Sequence, residues 1–275
     1  MIGMVYGDLS GDETGILTAG CYLGKEAEWL KAIAAWSATL DDAGVPEFHA
    51  TDFYNAKRAF DDDRWRREVP GRGMVVGGDL HNAFAERFVS IPVDAGLIGF
   101  AYSLDVPSFN EILAPELAKA QRKHPQGHPR TQAVMSSLAS IGSFLEKAGY
   151  RENGQIQVVF EQEQGAGRFG AFFDDSRERK ERWTYFFKSF TTAPKSFVPL
   201  QMADLLAHET WRRTKQVTSN PSSPLRKSFE RMLGDGKVSL LNHDRDHCVR
   251  NAAIIRDVTS RYPDGLIPPE EARDV

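Results

Sequence analysis

The chain has 275 residues, 41% of them hydrophobic and 26% charged, with a formal net charge of −4. That composition fits a folded globular protein and excludes wholesale disorder, while the mild acidity counts against a polycation that coats DNA. Two cysteines, Cys21 and Cys248, exclude a disulfide framework and a tetrahedral cysteine site.

Met1 to Gly7 is a short apolar run that stops at the polar turn LSGDETG, and ILTAGCYLG follows as a second run. Two such runs around a Ser/Gly/Asp turn predict a β-hairpin. Trp29, Leu30, Ile33, Ala34, Trp36 and Leu40 recur at helical spacing over 26–42, with Gly44 at the end. The stretch from Phe48 to Gly78 is polar and turn-rich, carries DDDRWRR and PGRG, and reads as a surface excursion. A helix is expected over about 79–89, then a buried strand in GLIGFAYSLD, then a helix and a loop over 107–130. A helix over 131–147 places Ala133, Leu138, Ile141 and Leu145 on one face. QIQVVFEQ has strong strand propensity, DDSRERKERW reads as a charged helix, YFFKSFTTA as a strand and VPLQMADLLAHETWRR as a short helix. Two more helical segments and a polar tail close the chain.

Strands and helices intermix throughout, which predicts an α/β or α+β arrangement in one domain spanning 1–275, with an insertion near 50–78 and a helical extension from about 216. The N-terminus lacks the basic and apolar regions of a signal peptide and no apolar run could span a bilayer. A cytoplasmic location without membrane contact is therefore expected. The oligomeric state, including a homo-oligomer, is left open.

Several carboxylates stand at the ends of elements. Asp8 ends the first strand, Glu161 ends QIQVVFE, and Asp204 lies amid Met202, Ala203, Leu205 and Leu206; Glu47 and His49 flank Phe48 after the first helix. Carboxylates brought together repel one another, so such a cluster needs cations or protons. Oxygen donors suit Mg²⁺ or Mn²⁺. Two such ions activate a water and stabilise the leaving oxygen of a phosphodiester, and His49 could move a proton or orient a water. The plain alternatives are that Asp8 and Asp12 serve a tight turn, that Glu161 is a loop charge and that Asp204 lies on a solvent face.

Other groups carry weaker signals. His243 and His247 are four residues apart, but no third zinc ligand stands at a standard spacing. GAGRFG, starting at Gly165, could cradle a phosphate and would bring Arg168 to it, though a flexible turn is the plainer reading. The basic stretches QRKHPQGHPR and WRRTK, with Lys195 nearby, could meet a nucleic-acid backbone or simply be solvated. There is no nucleophile-elbow motif and no activated-cysteine signature.

YGDLSGD, FHATDF, a strand ending in an acid and PLQMADLLAH occur in that order over roughly residues 1–215. Together they resemble the family catalogued as domain of unknown function 3800. The resemblance implies an RNase H-like mixed β-sheet flanked by α-helices, with the first strand central. It implies Asp8, Glu161 and Asp204 as metal ligands, Glu47 and His49 as assisting groups, and Ser10, Gly11 and Asp12 as the turn that follows the first ligand. Gln201 would stand one turn before the last acid and order its surroundings. The implied activity is a Mg²⁺- or Mn²⁺-dependent nuclease acting on RNA or DNA. Leu9 stands where the family usually has Glu, and Glu161 where it usually has Asp. Those departures, with the mild acidity, keep open a binding or accessory module that has lost its chemistry; a phosphohydrolase of small phosphate esters is a third reading, since the same metal logic serves that reaction.

Overall fold

Apolar alternation and a polar turn build the first two strands, β1 (Gly3–Gly11) and β2 (Ile16–Lys25). Asp12 closes the turn between them, its carboxylate accepting from the Thr14 backbone N–H at 2.9 Å and from the Thr14 hydroxyl at 2.7 Å. The computed structural model describes residues 3–120, 128–150, 155–162 and 166–261. Helix α1 (Glu26–Ala43) follows β2 directly, with Glu28 reaching back to the Lys25 N–H and Gly44 closing the end in the left-handed region at φ 64°. Next come α2 (Ala50–Asn55), the hairpin β3 (Arg66–Val69) and β4 (Gly73–Val76), α3 (Asp79–Ala95) and β5 (Ile98–Asp105). A helical run then starts with α4 (Val106–Ser108), passes through a π turn at Phe109–Leu113 and continues as α5 (Ala114–Ala120). The second half holds α6 (Pro129–Lys147), β6 (Ile156–Glu161), α7 (Ala166–Glu178), β7 (Phe187–Ala193) and α8 (Val198–Ser219). It ends with α9 (Lys227–Leu233), β8 (Val238–His243) and α10 (Arg245–Arg261).

Six strands form one mixed sheet in the order β7-β6-β1-β2-β5-β8. The β1/β2 and β2/β5 pairs are antiparallel, while β1/β6, β6/β7 and β5/β8 are parallel. Helices cover both faces, so the domain is a mixed α/β structure. Side chains alternate across a strand. Tyr6 of β1 therefore joins the core with α1, α3 and α8, whereas Val5 joins the core with α6 and α7. Asp8 and Ser10 lie on the Tyr6 face of β1. No helix among the described residues is long and apolar enough to cross a membrane.

Helix α8 lies unusually close to the sheet. A Cβ on Gly20 would stand 2.5 Å from the Ala207 backbone nitrogen and 3.0 Å from the Ala203 carbonyl oxygen. The strand can bring its backbone against the helix only because residue 20 has no side chain. Gly20 is also the register partner of Asp8. The close approach therefore sets the first turns of α8 beside Asp8.

Three elements differ from the sequence-based expectation. The stretch from Phe48 to Gly78 is not a surface excursion: Phe48, Phe53, Phe60 and Trp65 are fully buried with Trp36 and Phe88 in the core under α1 and α3. The ring of Phe48 alone packs within 4.6–6.1 Å of four aromatic neighbours, and burying such rings outweighs the polar residues between them. The helical extension expected from about 216 also holds a strand: residues 238–243 add β8 to the sheet edge, parallel to β5. Finally, α8 is long, with 22 residues, because its amphipathic pattern continues through WRRTKQVTS.

Gly20→Ala is predicted to destabilise the protein by about 1–3 kcal/mol, since the atoms in the way are helix backbone and cannot swing aside. Urea unfolding checks this; an unchanged midpoint would show that α8 is free to retreat from the sheet.

Candidate active site

Strand β1 carries Asp8 on the face that α8 covers, and β6 runs parallel beside it in a register that pairs Gly7 with Phe160. Gly7 must be glycine there, since a Cβ would stand 2.3 Å from the Phe160 ring. One residue further along both strands, Asp8 and Glu161 become neighbours. Their meeting point is bridged by Lys195, which lies in the turn between β7 and α8. Its Nζ is 3.2 Å from Glu161 Oε2 and 4.0 Å from Asp8 Oδ2. Asp204, on the second turn of α8, completes the group, and its charge is felt by both Asp8 and Lys195.

Asp8 and Asp204 are almost fully buried, with 4% and 3% of their surface exposed. Burial pushes the Asp8 carboxyl well above its usual range; the Asp204 and Glu161 charges push it further, and Lys195 only partly opposes them. Asp204 is also raised by burial, against the pull of Lys195, His49 and the Ala50 N–H. Burial works against the charge of Lys195, but Asp204, Asp8 and Glu161 outweigh it and leave its pKa raised. Asp8 Oδ1 accepts from the Leu9 N–H at 2.8 Å, while Oδ2 has no hydrogen-bond donor among the described residues. Three acids thus share one ammonium, and one buried oxygen is left over. Buried carboxylates in such a state are costly, and groups with pKa values shifted this way are common at functional sites.

Helix α8 also grips the chain that follows α1. Gln201 and Asp204 are three residues apart and share a helix face. Gln201 Oε1 accepts from the Phe48 N–H at 2.9 Å and from Trp36 Nε1 at 3.0 Å, and Asp204 Oδ2 accepts from the Ala50 N–H at 2.8 Å. His49 is held between these two bonds, with Nδ1 3.7 Å from Asp204 Oδ2. Gln201 is therefore a clamp on FHA that sets His49 against the acid cluster.

The remaining expected residues divide. Ser10 lies on the Asp8 face, its hydroxyl 3.5 Å from His208 Nδ1. Asp12 is nearly fully exposed; its Thr14 bonds hold the turn and lower its pKa, so it stays outside the acid cluster. Glu47 is exposed and has no bond to the cluster among the described residues. Arg168 is exposed at the start of α7, whose phenylalanines pack on the opposite face of the sheet. Gly165, where the GAGRFG stretch starts, lies outside the described residues, as do 121–127 of the basic stretch QRKHPQGHPR. Leu9 packs into the apolar clusters on the face away from Asp8. His243 and His247 stack at 5.2 Å between ring centroids, but His243 ends a strand and His247 pairs with Asp244 at 2.9 Å.

Two participants had no clear sequence signal. Lys195 stood out only as a nearby basic residue, and its central place depends on the turn after β7. His208, one turn beyond Asp204, is a buried histidine that desolvation and the neighbouring Arg212 and Arg226 push down to about 3, so its imidazole is neutral at physiological pH. Among the described residues no three His, Cys, Asp or Glu side chains are arranged to hold a metal ion. Lys195 supplies the positive charge at the cluster.

A carboxyl whose pKa is higher in the folded state loses its proton first in the unfolded chain, so rising pH favours unfolding from about pH 4 up to the native value. Asp8→Asn, which cannot ionise, is predicted to raise Tm by about 2–4 °C at pH 7.5. The gain should shrink as pH falls towards 4; an equal or lower Tm at pH 7.5 would contradict the strain assigned to Asp8. Gln201→Leu, which strands the Trp36 and Phe48 N–H groups, should cost about 2–4 kcal/mol in denaturant unfolding. A negligible loss would deny the clamp. No protein-family model matches the chain, and no curated protein matches it in sequence.

Proposed function

We propose that the protein is an RNase H-like, metal-dependent nuclease whose site is formed by Asp8, Glu161 and Asp204. The observation that carries this reading is the meeting of three acids from a central strand, its parallel neighbour and a late helix, with Asp8 Oδ2 left without a donor. The strand order supports it as well: an antiparallel β1-β2-β5 meander is followed by β6 and β7 added in parallel on the β1 side.

The donor chemistry fits a hard divalent cation, because all three candidate ligands are carboxylates. Mg²⁺ or Mn²⁺ bound there would activate the attacking water and neutralise charge on the leaving oxygen. Asp8, Glu161 and Asp204 would hold it, and Lys195 would turn from Asp8 and Glu161 towards the phosphate. His49, partly exposed at the rim and set by the Gln201 clamp, would orient water. Leu9 in the opposite core costs the site nothing on this face, since successive side chains point to opposite sides of the sheet.

Lys195 also favours a second reading, a binding module without chemistry, because it already balances part of the acidic charge. Labelled single- and double-stranded RNA and DNA, incubated with purified protein and Mn²⁺, separate the two. Cleavage that is abolished by EDTA and in Asp8→Asn and Asp204→Asn is the predicted result. No cleavage by the wild type, or cleavage undiminished in the variants, would contradict the nuclease.

A further inference from the structure

A concave site of about 620 Å³ opens beside the acid cluster. It is lined by Ser10 and Asp12 of the β1–β2 turn, by Thr51 and Asn55 of α2, and by the α8 residues His208, Trp211, Arg212 and Lys215, with Arg226 at its edge. Its volume is in the range of sites that take a small ligand or one unit of a polymer, roughly 300–1,000 Å³. Asp204, His208, Arg212 and Lys215 follow one another along one side of α8, three to four residues apart, so the site continues from the acids along the helix.

Its charge runs against that of the whole chain. Three cations and one carboxylate line it, whereas the chain as a whole carries −4. Arg226 is fixed by an ion pair to the fully buried Glu209. The guanidinium groups of Arg226 and Arg212 lie 5.2 and 4.8 Å from the Tyr54 ring centroid, and Tyr54 stacks on the neutral His208 at 5.5 Å. Among the described residues neither Arg212 nor Lys215 has a carboxylate partner within ion-pair distance. Arg212 is half-buried; burial and the charge of Arg226 depress its pKa, and Glu209, already paired with Arg226, only partly opposes them. Trp211 stands half-exposed in the lining, its edge packed against Gly11 and the Lys215 ammonium 5.2 Å from its ring centroid.

We propose that this cavity binds an unpaired nucleic-acid strand, with a backbone phosphate held by Arg212, Lys215 and Arg226 and a base set against Trp211. The assignment rests on the nuclease reading and names its substrate class. Cations beside a half-exposed aromatic ring are the elements of single-strand recognition, since every base has a stacking face and every nucleotide a phosphate. A concave site of this volume takes a nucleotide unit, and a base can stack on Trp211 only when it is not already stacked within a duplex. Ser10 and His208, which join the cavity to Asp8 and Asp204, would lie on the path of the strand towards the acids.

The test is binding without turnover: anisotropy of a fluorescein-labelled eight-nucleotide oligothymidylate in EDTA, against wild type, Arg212→Ala/Lys215→Ala and Trp211→Leu. Wild type is expected to bind the single strand at least tenfold more tightly than the same sequence in a duplex, and than thymidine monophosphate in competition. The double variant should bind about tenfold or more weakly, and the slope of log affinity against log salt should fall by up to about 0.7 as the one phosphate contact is lost. Trp211→Leu should weaken binding by about 5- to 150-fold with the salt slope unchanged. Melting temperatures within a few degrees of wild type show that the variants are folded; an Arg212→Lys variant that recovers part of the affinity serves where one is not. Equal binding by wild type and the double variant, no binding by wild type, or equal affinity for duplex or for the mononucleotide would each overturn the assignment. Single-strand binding lost in these variants, with no cleavage in Mn²⁺, would leave the cavity assigned and sink the nuclease alone.

Discussion

The close contact between α8 and β2 at Gly20 is the constraint on which the site depends. Helix and strand backbones approach to within reach of a single missing Cβ, with Ala203 and Ala207 as the facing residues. Gly20 pairs with Asp8 across the sheet, and Asp204 follows Ala203 in the helix. A side chain at position 20 would push the helix out and part the two acids. The second approach is of the same kind: Gly7 makes room for Phe160 and so lets β6 carry Glu161 to the side of Asp8. Two glycines in adjacent strands thus determine how near three carboxylates come.

The consequence is electrostatic. Buried acids beside one another raise each other's pKa, and a single lysine, itself half-buried, is left to balance them. A protein selected only for stability would replace such a cluster by apolar groups or by a neutral amide, because like charges in a poorly solvated place oppose folding. The same arrangement is what an oxygen-ligated cation would relieve. The helix that brings Asp204 then continues past the site as Trp211, Arg212 and Lys215, so one element links the acids to the cationic cavity.

Much of this was legible in the chain. The apolar run MIGMVYG put Asp8 at the end of a strand, although β1 runs on to Gly11 and buries Asp8 within it; QIQVVFE ended at Glu161 as read, and an acid amid MADLLA was out of place on an apolar helix face unless it had a partner. Local pattern carries such information because it reports which face of an element a residue occupies. Lys195 was not legible, since a lysine in a turn has the look of a solvated charge until two strands and a helix close around it. Glycine 20 has no local signature either; its role exists only where another backbone arrives. In the segment after Phe48 the charged run DDDRWRR masked spaced aromatics that pack inward, and β8 was hidden because six residues on a sheet edge, VSLLNH, have no clear alternation. Glu47 and Arg168 were drawn into the site by motif or by proximity in sequence, and the fold sets them away from the acid cluster, while Asp12 lines the neighbouring cavity.

The most direct test of the central claim is anomalous diffraction from crystals soaked in Mn²⁺. The account predicts one or two ions bound by Asp8, Glu161 and Asp204, with the Lys195 ammonium withdrawn from between Asp8 and Glu161. Soaked crystals with no anomalous signal at these carboxylates, and with Lys195 still bridging them, would contradict it.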